Sequence, residues 1–102
     1  MSTHHQEADV HGYAKDKEAI ARRLRRIEGQ VRGIARMVDE DTYCIDVLTQ
    51  ISAVTKALQT VGLTLVEDHV GHCVVQAAQS SPEEGEAKVA EATTAAARLL
   101  RV

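Results

Sequence analysis

The chain has 102 residues, which is room for one domain. Apolar residues make up 44% but aromatics only 2%, with no Phe or Trp, so Ala, Val, Leu and Ile must build the core, as suits close-packed helices. Two cysteines are too few for a secreted disulfide framework, the first dozen residues (MSTHHQEADVHG) do not read as a signal peptide, and charges interrupt every apolar stretch before it could span a membrane, so the expectation is a cytoplasmic protein with reduced thiols.

Residues 1–13 are polar and contain His4, His5 and His11; they read as a flexible tail ahead of a helical domain over 14–102. A first helix is expected over about 15–38. Its apolar positions Ile20, Leu24, Ile27, Val31, Ile34 and Val38 alternate four and three apart, a heptad-like seam. Gly29 and Gly33 lower its helix propensity and suggest a close backbone approach. The run Asp39-Glu40-Asp41-Thr42 marks a break, with Asp41 or Thr42 as the cap of the next helix.

The second helix is expected from Tyr43 or Cys44 to about Gln79. Cys44, Leu48, Ile51, Thr55, Leu58, Gly62, Leu65 and His69 keep the same spacing, and Ile45, Val47, Val54, Val61, Leu63, Val66 and Val70 add apolar surface on other sides. A helix this apolar in a small chain is buried from several directions, which points to oligomerisation. Gly62 and Gly71 are places where it could bend. The third helix starts at Ser81-Pro82-Glu83-Glu84, where Ser81 can cap, Pro82 fits the first position and Glu84 completes a capping box. It runs to about Arg101 with Val89, Ala92, Ala96, Leu99 and Leu100 as its inner face. The fold class is all-α, a three-helix protomer with a long middle helix.

Cys44, His69 and Cys73 are the residues with the most pointed chemistry. His69 and Cys73 lie four apart, so a helix projects both from one face. Cys44 lies 25 residues before His69. At the rise of a continuous helix the two would stand roughly 37 Å apart, so a site using all three needs Cys44 from a second copy. Two thiolates and one imidazole favour Cu(I) or Zn(II), and a three-donor set tilts towards Cu(I), which accepts trigonal coordination. His72 is a further donor but points away from Cys73. Two other readings remain open at this point: small buried cysteines with a satisfied histidine, or a redox dithiol.

Charge is unevenly placed. Residues 15–36 hold eight basic side chains against three acidic ones, a net of +5, while the rest of the chain carries −8. Arg22, Arg25, Arg32 and Arg36 form a stripe opposite the apolar seam, and Arg23 and Arg26 widen it. The arginine fork suits phosphate, and the scarcity of compensating acids favours nucleic-acid binding over a merely solvated face. No helix-turn-helix pattern is present, so contact with DNA would use a helical face.

The segments RLRRIEGQVRGIARMVDEDTYCIDVLTQISAVTKAL and HVGHC, with the helix after Pro82, resemble the copper-sensing CsoR/RcnR family of bacterial repressors from about Lys15 to the C-terminus. The resemblance implies an antiparallel four-helix-bundle dimer, paired again into a tetramer, that binds operator DNA. It implies Cu(I) ligation by Cys44 of one subunit and His69 and Cys73 of another, with Tyr43 and Glu91 as the pair that hydrogen-bonds the ligating histidine. It also implies that first-helix arginines around Arg22 to Arg26 touch DNA; Arg32 and Lys56 are counted with them as candidates. The function expected is a Cu(I)-responsive repressor whose metal-free form holds the operator and whose Cu(I) form releases it, derepressing copper-resistance genes. The alternatives are a thiol or persulfide sensor of the same family using Cys44 and Cys73, and a copper chaperone or store without DNA. No nucleophile–base–acid arrangement suggests an enzyme.

Overall fold

The computed structural model describes residues 13–101, and every regular element among them is helical. The tail histidines His4, His5 and His11 lie outside the described residues. A single 3-10 turn, Ala14–Asp16, leads into α1 (Lys17–Asp39) and α2 (Cys44–Asp68). The chain then winds through a π-helical turn, His69–Val74, into the short α3 (Val75–Ser80), and α4 (Pro82–Leu100) follows. The expected middle helix is therefore α2, the π turn and α3 in succession. Contacts divide the chain into two units, Glu18–Val61 and the remainder.

Within Glu18–Val61, α1 ends in a Schellman motif. The Thr42 N–H donates to the Met37 carbonyl at 2.9 Å and the Asp41 N–H to the Val38 carbonyl at 3.1 Å. Asp41 takes the left-handed conformation, φ 58°, that this motif usually gives to glycine. Asp41 thus closes α1 rather than opening α2. The residue that opens α2 is Tyr43, whose carbonyl accepts from the Asp46 and Val47 N–H groups at 3.0 and 3.3 Å. The unit's core is Ile20 and Ile27 of α1 with Val54 and Val61 of α2, joined by the partly buried Ile34 and Ala57. The α1 seam therefore splits: Ile20, Ile27 and Ile34 turn inward, and Leu24, Val31 and Val38 stay exposed. On α2 the expected seam is not the one buried within the chain. Val54 and Val61 face the core, while Leu48, Ile51 and Leu58 remain exposed.

In the other unit, the π turn, α3 and α4 pack against one another. Ser81 caps α4 in an extended conformation, its Oγ accepting from the Glu84 N–H at 3.1 Å, with Pro82 in the first turn. Only half of the capping box forms, because the Ser81 N–H donates to the Ala77 carbonyl at 3.1 Å and so closes α3. Two glycines allow close crossings. A Cβ on Gly62 would lie 2.7 Å from Leu99 Cδ2, and one on Gly85 would lie 2.9 Å from both Cα and Cβ of Ala78. The helical assignment of α2 continues through Gly62 without a break. Ala92 and Val74 are buried, while Val89 and Leu100, expected on the inner face, are exposed. Asp68 is only 8% exposed and shares a hydrogen bond with Asp16 of the 3-10 turn. No helix among the described residues is long and apolar enough to cross a membrane.

Candidate metal centre

His69 and Cys73 open and nearly close the π turn. A π turn hydrogen-bonds five residues back instead of four, an arrangement found mostly as single turns at functional sites. Both side chains line one open cavity of about 660 Å³, together with Gln76, Ala77, Ser80, Lys88 and Glu91. The pair expected from four-residue spacing is thus brought together, and α4 contributes the opposite wall. His72 is not among the lining residues; its Nε2 is buried without a hydrogen-bond partner among the described residues.

Among the described residues, His69 Nε2 is likewise buried without a hydrogen bond. Glu91 Oε1 lies 3.6 Å away, within ion-pair range but too long for a hydrogen bond. The same oxygen lies 3.5 Å from Lys88 Nζ, one turn earlier on α4. Glu91 therefore lies beside His69 across the cavity. Lys88, Gln76 and Ser80 were missed by sequence reasoning. The Lys88–Glu91 spacing of three was the available signal, since residues three apart on a helix are neighbours. On the far side of His69, Leu65, Val66, Ala92 and Ala95 form a smaller apolar groove of about 230 Å³ that Glu91 also borders.

Asp68, the residue before His69, has its carboxyl pushed above the usual range. Burial is the main cause; the hydrogen bond and charge of Asp16 add to it, and Lys15 opposes it. Cys44 and Tyr43 lie at the head of α2 in the Glu18–Val61 unit, both exposed, with Tyr43 at 67%. Neither cysteine is in a disulfide. Among the described residues, no three His, Cys, Asp or Glu side chains of the single chain form a group able to hold a metal ion. Within its own unit the chain brings His69 and Cys73 together at the wall of one cavity.

Arg22, Arg23, Arg25, Arg26 and Arg36 are exposed on α1, and Lys56 is exposed on α2. Arg32 differs, because Glu28 pairs with it at 3.3 Å. Arg23 and Arg26 border a depression of about 290 Å³ with Ile27, Gln30, Ala57 and Thr60, and no acidic side chain lines it.

Residues 16–98 match the family described as metal-sensitive transcriptional repressors. The chain is 58% identical over 92 residues to the copper-sensing transcriptional repressor RicR of Mycobacterium tuberculosis, covering 90% of this chain and 96% of that one. It is 52% identical over 81 residues to the copper-sensing transcriptional repressor CsoR of Bacillus subtilis, covering 79% and 78%. Its fold matches the crystal structure of the copper-sensing repressor CsoR with Cu(I) from Geobacillus thermodenitrificans at a TM-score of 0.75 and 43% identity, over 84% of this chain and 88% of that chain. With the family model matching most of the chain and the fold matching that of a solved repressor, the chain belongs to the metal-sensitive transcriptional repressor family.

Proposed function

We propose that this protein is a Cu(I)-responsive transcriptional repressor of the cytoplasm, working as a homodimer or a homotetramer built from dimers. The observation that supports the reading is the pairing of His69 and Cys73 on one cavity wall, where among the described residues no third side chain joins them in a group able to hold a metal. Cys44, exposed at the head of α2, is the remaining thiolate donor, and in this reading a second copy supplies it. Two thiolates and an imidazole suit Cu(I), which supplies a soft cation accepting three donors. With Nε2 facing Glu91, Nδ1 is the ring nitrogen left for the metal.

The chain's own residues do the rest. In the metal-free form the α1 faces bearing Arg22, Arg23, Arg25 and Arg26, with Arg32 and Lys56 at their margins, hold operator phosphates. Once His69 is fixed through Nδ1, its Nε2–H points at Glu91 and draws α4 towards the π turn, with Tyr43 beside Cys44 as the second hydrogen-bonding partner. The basic faces are repositioned and the operator is released, which derepresses copper-resistance genes. A persulfide sensor would leave His69 without a role, although Glu91 faces its imidazole, and a chaperone or store would leave the α1 arginines without one.

An anaerobic Cu(I) titration of the operator complex, followed by fluorescence anisotropy, tests the proposal. Release at one Cu(I) per protomer is expected, with Cu(I) affinity lower on DNA than off it by the same factor as operator affinity falls. Identical Cu(I) affinity with and without operator would refute the coupling. Replacing His69 with Ala should leave thiolate binding of Cu(I) but no release; normal release by H69A would refute the relay.

A further inference from the structure

We infer that Lys88 is a positioning residue that competes with His69 for Glu91 and so sets how much Cu(I) is needed to release the operator. This rests on the relay proposed above. One oxygen, Glu91 Oε1, stands 3.5 Å from Lys88 Nζ and 3.6 Å from His69 Nε2, and all three residues line the same cavity. Neither contact is tight: both exceed the 2.7–2.9 Å of a good charge-assisted hydrogen bond. The carboxylate is therefore held between two nitrogen partners and satisfied fully by neither. Lys88 sits one turn before Glu91 on the same helix, so its hold does not depend on where α4 lies. His69 belongs to the π turn, so its hold does.

That difference gives the two contacts opposite effects. A Glu91 carboxylate turned towards Lys88 leaves α4 uncommitted, the state that holds DNA. A Glu91 carboxylate turned towards His69 ties α4 to the π turn, the state that releases it. Lys88 is thus a counterweight favouring the DNA-bound form. An exposed helical ion pair of this kind is worth a few tenths of a kcal/mol, so its removal should shift the equilibrium about twofold. When Glu91 leaves it, the ammonium remains in the cavity that Cys73 lines, beside a centre whose two thiolates outweigh the single positive charge of Cu(I).

The test is a double-mutant cycle on operator release. Lys88→Gln should lower the Cu(I) concentration for half-release about twofold and weaken metal-free operator binding by a similar factor, and K88R should restore both. On a Glu91→Gln background, K88Q should add nothing. If E91Q impairs release but K88Q leaves the midpoint unchanged, the inference about Lys88 is overturned while the relay stands. A K88Q shift that persists undiminished in E91Q also overturns it, since Lys88 would then act elsewhere. If E91Q itself releases normally, the relay fails and the Lys88 role falls with it. Lys88 is half-exposed, and equal thermal melts of K88Q and K88R exclude a folding defect as the cause.

Discussion

The crossing of α3 and α4 is the contact that holds Glu91 opposite His69, and Gly85 is where it can be tested. In an isolated helix, Gly→Ala is favourable by roughly 0.5–1 kcal/mol, because alanine loses less backbone entropy. Here the added Cβ would stand 2.9 Å from Ala78 Cα and Cβ and 3.4 Å from Ala78 N. Two of those atoms are backbone, so no side-chain rotation relieves the clash, and α4 must move away from α3. Overpacking of this sort costs about 1–3 kcal/mol, which exceeds the propensity gain. G85A should therefore be less stable than wild type by about 0.5–2 kcal/mol, equivalent to a fall in Tm of several degrees for a domain this size. G71A is the control, since Gly71 is exposed and a Cβ there meets nothing within 4 Å. Urea unfolding of the metal-free protein at fixed protein concentration reads both. Because Glu91 lies less than two turns beyond Gly85 on α4, G85A should also release operator less completely at saturating Cu(I). A G85A protein as stable as wild type would refute the tight crossing, and a destabilised G85A with normal release would refute the claim that the crossing positions Glu91.

Three further outcomes are expected. Refolding equal amounts of C44A and C73A chains together should recover about a quarter of the wild-type Cu(I) sites, because a symmetric mixed dimer rebuilds one complete site of its two; no recovery by Cu(I) titration would place all three ligands in one protomer. Asp68 binds its proton more tightly folded than at its ordinary value of 3.8, so its contribution to stability is full below that value and is lost as pH rises through the raised one; D68N should be more stable than wild type in urea at pH 7, with the advantage shrinking towards pH 4. D41G should stabilise by up to about 1 kcal/mol by relieving the left-handed backbone and removing a negative charge from a helix C-terminus, and a lower unfolding midpoint would show that the Asp41 side chain has a compensating role.

How far the sequence could be read depended on whether a feature was local. Ser81-Pro82 announced the start of α4 because capping and proline geometry act within one turn. His69 and Cys73 met because four-residue spacing holds whether the turn is α or π. The π winding itself was not legible, since no residue type demands it and Gly71 is its only sequence hint. The break after α1 was found, but its roles were assigned to the wrong residues: Asp41 ends α1, and Tyr43 begins α2 through its backbone, which any residue could do. The larger miss is the buried face of α2. Leu48, Ile51 and Leu58 make as good a seam as Val54 and Val61, and a helix apolar on several sides does not say which side its own chain will cover. Lys88 escaped notice because a lysine near a glutamate on a helix is ordinary until a third group is found on the same oxygen.

If the proposed metal centre is shared between copies, the uncovered apolar side chains and the missing third donor have one solution. Leu24, Val31 and Val38 of α1 and Leu48, Ile51 and Leu58 of α2 are each more than two-fifths exposed in the single chain. Burying one such side chain fully is worth about 1.5–3 kcal/mol, so covering the exposed part of six contributes several kcal/mol. That is comparable with the 5–15 kcal/mol that keeps a typical domain folded. On the proposed reading, association supplies this energy, and Cys44 is carried into reach of His69 and Cys73 by the same step, because it heads the helix whose stripe is being covered. The geometry of the metal site is then set by an apolar interface rather than by a loop. Occupancy of the site must act back on that interface, since linkage allows no one-way coupling. The exposed arginines of α1 share a helix with half of the stripe, so in the proposed assembly a change at the interface would reach the proposed DNA-binding face along α1 itself.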